Sequence, residues 1–463
     1  MKNLKRNLYA KHYTCYNYII KSGKIFYLIV VYEVLIMLKN IFKVILIMII
    51  GITVGTILLV GVHFLPMGRI MKNVNNSIDL FRSEETYKKV IYGYDNTQLD
   101  NYTDALMIQN ASYDGKENVI DKAMSTYRYL NDKDQRISLI KQSENQKKKK
   151  MTYERYWHGY LVILKPMLML FSYNDLRIVN STLQLLLVTG IVYLLIKKNK
   201  GIYVLPYIIS IIAISPITIV QSLQFSTILY ISNISMIIML LFNDKLKEKR
   251  RYMYFFLIIG MSTSYFDFLT YPLATLGMPI VLYFILNSSK DLVENIKFII
   301  CISIIWGIGY VGMWIGKLII GSILVNRNFF TSAIEKFKYR SSFDVTYKKI
   351  TIFEVIKINL KHILIKPYIV LALLLIVYVI YKMIAGKFKF TKEKWLALIP
   401  YMIISIMPFV WYVVASNHSY IHSWFTYRDL MITIFALSSY IAYLFEKDKY
   451  GKLKKEKSKT IDD

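Results

Sequence analysis

Long apolar runs alternate with short lysine-rich breaks along most of this chain. The runs cover residues 44–64, 176–196, 202–220, 225–242, 252–266, 271–286, 298–320, 362–383, 395–415 and 430–445. Each approaches the ~20 residues a helix needs to cross a bilayer. Lys39 and Lys43 precede the first run, Lys197, Lys198 and Lys200 follow the second, and Lys245, Lys247, Lys249, Arg250 and Arg251 follow the fourth. Lys387, Lys389, Lys392 and Lys394 follow the eighth, and residues 446–463 form a basic tail. Lysine and arginine collect on the cytoplasmic side of membrane segments. Ten crossings with both termini cytoplasmic place every one of these breaks inside. The expected fold is all-α: a polytopic transmembrane helical bundle of about ten spans in the cell membrane.

This arrangement predicts a large first extracytoplasmic loop at 65–175. Most connections are far shorter. Within it, 71–89 and 119–146 have helical composition. The apolar stretch 160–171 carries Lys165-Pro166 and is too short to span, so it reads as an interfacial or re-entrant helix. The turn Asp267-Phe268-Leu269-Thr270, the segment 321–361 and the loop 416–428 share the outer face. At the other end, 25–38 is short and broken by Glu33, whereas Met37-Leu38-Lys39-Asn40 resembles an ordinary start. Residues 1–36 therefore read as a non-native extension or an interfacial helix, and 37–463 as one membrane domain. No small-residue cleavage site follows the first run, which makes it an uncleaved anchor. No internal repeat stands out, and no paired broken helices of the inverted-repeat transporter kind.

Composition supports the membrane assignment: 55% of 463 residues are hydrophobic, against roughly 45–50% in soluble domains. The net charge of +29 sits beside the spans, which points to anionic headgroups and membrane lipids as partners, not to nucleic acid. The 39 tyrosines, with abundant Lys, Ile and Asn, match an AT-rich coding bias and need no role as a class. Cys15 and Cys301 lie in unrelated contexts, so no structural disulfide is expected.

Candidate chemistry concentrates on the outer face. In the first loop Asp100 and Asp104 are four residues apart, on one face of a helix starting near Asn101. They suit a general base or oxygen ligands for a divalent cation, or simply a helix N-cap. His158 lies in Tyr156-Trp157-His158-Gly159-Tyr160, where a hydrogen-bonded interfacial histidine is the alternative to a ligand. Asp267 follows Ser264-Tyr265-Phe266, and a carboxylate among aromatics at membrane depth is a functional candidate by default; a solvated turn aspartate is the alternative. His418, His422 and Arg428 fall within Asn417–Asp429, suited to binding a phosphate or, alternatively, to an aromatic belt with a snorkelling arginine. A two-histidine zinc site there lacks a local carboxylate beyond Asp429. Segment 321–361 carries Arg327, Lys336, Lys338, Arg340, Lys348, Lys349, Lys357 and Lys361 on the outer side, against the positive-inside trend. An anionic lipid-linked substrate or a solvated amphipathic helix would explain it. No Walker loop, GxGxxG or HExxH motif is present.

The layout resembles the GT-C class of integral-membrane glycosyltransferases, in which an acidic first outer loop with interfacial helices follows span one. It is also similar to uncharacterised bacterial membrane proteins in the stretches 156–160, 265–272 and 417–428. The resemblance implies a GT-C-like fold and transfer of a sugar from a polyprenyl-phosphate carrier to a cell-envelope acceptor on the outer face. It maps the first-loop acid to Asp100 or Asp104, without the adjacent acid pair often quoted for the class. Asp104 or Asp100 would then be the base, Arg428 with His418 or His422 would neutralise the departing phosphate, and Asp267 would hold sugar hydroxyls. The alternatives are a flippase of lipid-linked saccharide, a polymerase or ligase with a late outer loop, and a non-catalytic assembly protein.

Overall fold

The computed structural model describes residues 39–287, 291–346, 348–386 and 391–446. The expectations for 1–36, for Cys15, for Lys387 and Lys389 and for the basic tail beyond Glu446 lie outside the described residues. The chain divides into residues 1–51 and 52–463. In the first unit the described residues form the apolar start of helix α1, Lys39–Phe64.

In the second unit the segment between α1 and α8, called the outer segment after its expected side, is built from small pieces. Helices α2 (Met67–Asn75) and α3 (Ile78–Ser83) are followed by an extended stretch, then α4 (Asn101–Ala111), α5 (Val119–Ser125) and α6 (Gln135–Ser143). Strands β1 (Arg128–Leu130) and β2 (Lys149–Met151) pair antiparallel. The helical composition at 71–89 and 119–146 thus yields interrupted helices. Thr126 takes a left-handed conformation, φ 49°, that ends α5 and turns the chain into β1. Helix α7 (Leu161–Leu170) is the short apolar helix predicted there, with Pro166 inside it.

The remaining predicted runs are all helical. They form α8 (Tyr173–Lys197), α9 (Val204–Ala213) with the short α10 (Pro216–Ile219), α11 (Leu223–Lys247), α12 (Arg251–Phe266), α13 (Ala274–Asn287) and α14 (Leu292–Val325). After α15 (Phe330–Arg340), strands β3 (Asp344–Val345) and β4 (Lys348–Lys349) and α16 (Ile352–Lys361) come α17 (Lys366–Ala385) and α18 (Lys392–Val414). The short α19 (Ser416–Ile421) and α20 (Ser423–Thr426) lead into α21 (Met431–Leu444). Among the described residues six helices are long and apolar enough to cross a membrane: α1, α8, α11, α14, α17 and α18. The other four runs make shorter helices. The third run breaks at Ser215, φ 57°, because Pro216 cannot donate the helical bond and disfavours α geometry before it.

Packing explains which faces are buried. Apolar side chains from α8, α9, α11–α14, α18 and α21 meet in one core, among them Tyr207, Phe225, Phe256, Ile280, Trp306, Ile404 and Phe435. Helices α12 and α14 cross with their backbones nearly touching. A Cβ at Gly260 would sit 2.1 Å from the Trp306 carbonyl oxygen, and one at Gly309 would sit 2.3 Å from that of Leu257. Small residues at the crossing are how membrane helices approach closely. By contrast α17 buries no residue and presents Leu373, Leu374 and Val377 outward. So large an apolar surface is unfavourable in water and ordinary in lipid.

Helix α14 has 34 residues, about 50 Å at ~1.5 Å per residue, longer than the hydrocarbon core requires. Its far part carries Lys317, fully buried, whose ammonium donates to the Met124 carbonyl at 2.8 Å. Lys165 of α7 does the same for Ala111 at 3.0 Å. Each lysine thereby satisfies a carbonyl in the last turn of an outer-segment helix, where the helix dipole favours a cation. The tie between α8 and the outer segment is ionic: Arg177 grips both oxygens of Glu84, at 2.9 and 2.8 Å.

Candidate functional site

Asp100 and Asp104 stand on α4, as their spacing suggested. Asp100 is its N-cap and accepts from the backbone N–H of Thr103 at 3.0 Å and its hydroxyl at 2.9 Å. Burial pushes its carboxyl up to about 7, with Asp104 adding to the shift and the Thr103 bonds opposing it. Asp104 is fully buried and accepts four hydrogen bonds. They come from the Tyr173 hydroxyl at 2.5 Å, the Ser222 hydroxyl at 3.1 Å and the backbone N–H groups of Leu223 and Gln224 at 2.9 and 3.0 Å. The last two are free N–H groups of the first turn of α11. Asp104 therefore caps a membrane helix from the outer segment. With its lone pairs filled by protein donors, it has no open position for a substrate proton or a metal.

Arg428 is also fully buried. It donates to the carbonyls of Ile214 (3.2 Å) and Trp424 (2.8 Å) and to the Thr218 hydroxyl (2.8 Å). Its guanidinium lies 4.0 Å from the Phe225 ring centroid. The carbonyl of Ile214 is freed by the break between α9 and α10, so Arg428 closes that break. No carboxylate is in ion-pair distance of it among the described residues.

The other candidates come together. His158, φ 56°, packs against Phe268 at 5.2 Å between ring centroids, with Tyr153 and Tyr160 around it. The next N–H, of Gly159, donates to the Tyr265 carbonyl at 2.9 Å, and a Cβ at Gly159 would overlap the Tyr265 ring. His418 donates through Nε2 to the Leu269 carbonyl at 2.6 Å, and Asp429 accepts from the Ala274 N–H at 3.1 Å through Oδ1. The stretches 153–160, 265–274 and 416–429, far apart in the chain, thus meet at one place.

At the centre are two carboxyls. Asp267 caps the end of α12 and accepts from the Thr270 N–H (2.8 Å) and hydroxyl (2.5 Å). Burial lifts it to about 6, against those bonds. Asp429 is fully buried, Oδ2 has no partner, and burial holds its carboxyl well above the usual range, with Asp267 contributing. The histidines are neutral. Burial, then Arg340, takes His418 down to about 3, and burial, then His418 and Arg340, takes His422 to about 2. Since Nε2 of His418 and of His158 must donate to carbonyls, their unpartnered Nδ1 atoms are acceptors.

An apolar groove of about 470 Å³ adjoins this place between α13, α14 and α18. Leu273, Trp306, Gly307, Met407, Val410 and Trp411 are among its walls. Leu273 immediately precedes the residue that binds Asp429. Trp306 stacks on Tyr310 at 5.2 Å, and Tyr310 is within electrostatic reach of both Asp267 and Asp429.

Asp267, Asp429, His158, His418 and His422 therefore share a site, while Asp100, Asp104 and Arg428 belong to internal capping networks. Asp429 stood out in the sequence only as a poor zinc ligand, and its half-buried neighbour Tyr310 carried no signal inside an apolar run. Among the described residues no group of three or more His, Cys, Asp or Glu side chains is placed to hold a metal ion. Comparison with known proteins finds no matching family model, no matching curated protein and no matching solved structure.

Proposed function

We propose that the protein is an integral-membrane glycosyltransferase that moves a sugar from a polyprenyl-phosphate carrier to a cell-envelope acceptor on the outer face. The supporting observation is the apolar groove among membrane helices that ends beside two buried carboxyls, one of them with a free oxygen. The groove suits an isoprenoid chain, and neutral histidine Nδ1 atoms and Asp267 suit sugar hydroxyls. We place the base at Asp429. Its Oδ2 takes the proton of the acceptor hydroxyl while that oxygen bonds to the anomeric carbon. The bond from this carbon to the phosphate oxygen breaks, and its electron pair leaves with the lipid phosphate. Its raised carboxyl is a stronger base than a solvated aspartate.

The test is sugar transfer from a labelled polyprenyl-phosphate sugar in membranes holding the full chain. Asp429→Asn should lower the rate by ~10²–10⁴-fold, as loss of a general base does, with protein abundance unchanged. Full activity in Asp429→Asn and Asp267→Asn would remove the mechanism. A second reading, translocation of lipid-linked saccharide, draws on buried polar residues in the spans: Asn180 bonds Ser226, and Tyr207 bonds Asn233. These pairs bond across helices, as helix-helix contacts do, although Nδ2 of Asn233 is left without a partner. Movement of a labelled lipid-linked sugar across vesicles without transfer would favour translocation.

A further inference from the structure

Three cations face the same site without a counter-charge. Helix α15 carries Ala333, Lys336 and Arg340 along one stripe, and Ala333 is 2% exposed, so the stripe turns inward. Like charges four apart on a helix repel, and the helix's one acid, Glu335, is exposed and off this stripe. Arg155 approaches from the stretch before α7, its guanidinium 4.7 Å from the Tyr153 centroid. The Nε atoms of Arg155 and Arg340 are both buried and have no hydrogen-bond partner. None of the three cations enters an ion pair among the described residues. Lys336 and Arg340 are one turn apart on α15, and Glu154, the neighbour of Arg155, reaches Ser332 of the same helix at 3.5 Å; burial, then the charges of Arg340 and Arg155, lower Lys336. The Arg155 guanidinium lies over Tyr153 and Tyr156, whose rings pack on Phe268, the residue after Asp267, and Arg340 and Asp267 are within electrostatic reach of Tyr156.

The nearby acids do not neutralise this cluster. Glu154 faces the Ser332 hydroxyl at 3.5 Å, Asp267 is held by Thr270, and Asp429 by Ala274. Buried N–H groups of a guanidinium are costly to leave unpaired, and paired arginines with a lysine match the oxygens of a tetrahedral anion. Arg428, which the sequence suggested for this task, is taken up by neutral acceptors inside the fold.

We infer that Arg155, Lys336 and Arg340 form a cradle for a phosphate group at the mouth of the apolar groove. The identity of its carrier, a polyprenyl chain, rests on the glycosyl-transfer proposal; the phosphate chemistry does not. Lipid-borne and free phosphate share that chemistry, and binding measurements separate them.

The experiment uses the full chain in phosphatidylcholine nanodiscs, with labelled inorganic phosphate as one probe and polyprenyl phosphate incorporated in the disc as the other. Arg340→Gln and Arg155→Gln should each weaken binding by about 10–100-fold, the scale of a lost charge-assisted bond. Arg340→Lys should fall between, and Lys338→Gln, on an exposed position of the same helix, should bind as the wild type does. Unchanged melting midpoints identify folded variants, and Arg155→Lys serves if a glutamine variant fails to fold. Binding of polyprenyl phosphate alone assigns the cradle to a lipid headgroup; competition by inorganic phosphate shows that the phosphate group suffices. Equal binding in Arg340→Gln, Lys336→Gln and the wild type, or no binding of either probe, overturns the cradle. If phosphate binds through these residues but no sugar is transferred, the glycosyltransferase proposal falls and the cradle stands. If transfer proceeds undiminished in all three variants, the cradle alone falls.

Discussion

Asn in place of Asp tests very different things at positions 104 and 429. Asp104 meets four donors, including two backbone N–H groups of α11. An asparagine would turn an NH2 toward donors that cannot accept, leaving buried N–H groups unpaired at about 1–3 kcal/mol each. Asp104→Asn should therefore lower the melting midpoint and the yield of folded protein. Asp429 uses only Oδ1, so the amide can place its NH2 where Oδ2 stands free, and Asp429→Asn should melt close to wild type while losing transfer. Asp100 offers a pH test. Its folded carboxyl sits at about 7 against an ordinary 3.8, so between these values the folded state holds a proton that the unfolded state has released. Its contribution to stability falls as pH rises through that window and levels off above it. The melting midpoint should drop between pH 5 and pH 7 more in wild type than in Asp100→Asn; equal slopes would show that Asp100 titrates normally. The cap at Asp100 was legible, because Asp before Asn-Tyr-Thr is an N-cap pattern. The tie from Asp104 to α11 was not, since its partners lie 118 to 120 residues away.

Among elements, the long apolar runs were legible because lipid imposes length and composition on a helix independently of its neighbours. Where helices bend or meet, tertiary context decided. The break at Ser215-Pro216 had a local signal in the proline, yet the apolar run masked it. The close crossing of α12 and α14 had none, because Gly260 and Gly309 look like any glycine in a span. Glycines give a sharp comparison here. A side chain at Gly309 must push Leu257 away, so Gly309→Leu should destabilise by about 1–3 kcal/mol as overpacking does. Gly307, one turn face away, has nothing within 4 Å of its would-be Cβ and lines the groove. Gly307→Leu should leave the melting midpoint intact or slightly raised, since glycine is a poor helix former, yet fill space meant for an isoprenoid chain. Its signature would be a higher KM for the lipid-linked donor. An unchanged KM would show that the groove is ordinary lipid-facing surface.

At the scale of the molecule, the proposed chemistry depends on three separate stretches meeting at one place. Nothing in a single chain's order brings 153–160, 265–274 and 416–429 together; their aromatic and histidine content marked each as unusual, and packing made them one site. The expected sidedness rests on the lysine breaks: Lys245, Lys247 and Arg251 flank the turn between α11 and α12, at the opposite ends of those helices from Ser222 and Asp267. Basic breaks mark the cytoplasmic side. On that expectation Asp267 and Asp429 face outward, together with α15 and the outer segment. Cysteines placed at Lys148 and Ser341 should react with an impermeant thiol reagent in intact cells, and one at Lys247 should react only after permeabilisation. Labelling at Lys247 with protection at Lys148 would put the carboxyls, the groove mouth and the cation cluster on the cytoplasmic side. A sugar donor there could be a soluble nucleotide, and the requirement for a lipid carrier would lose its reason.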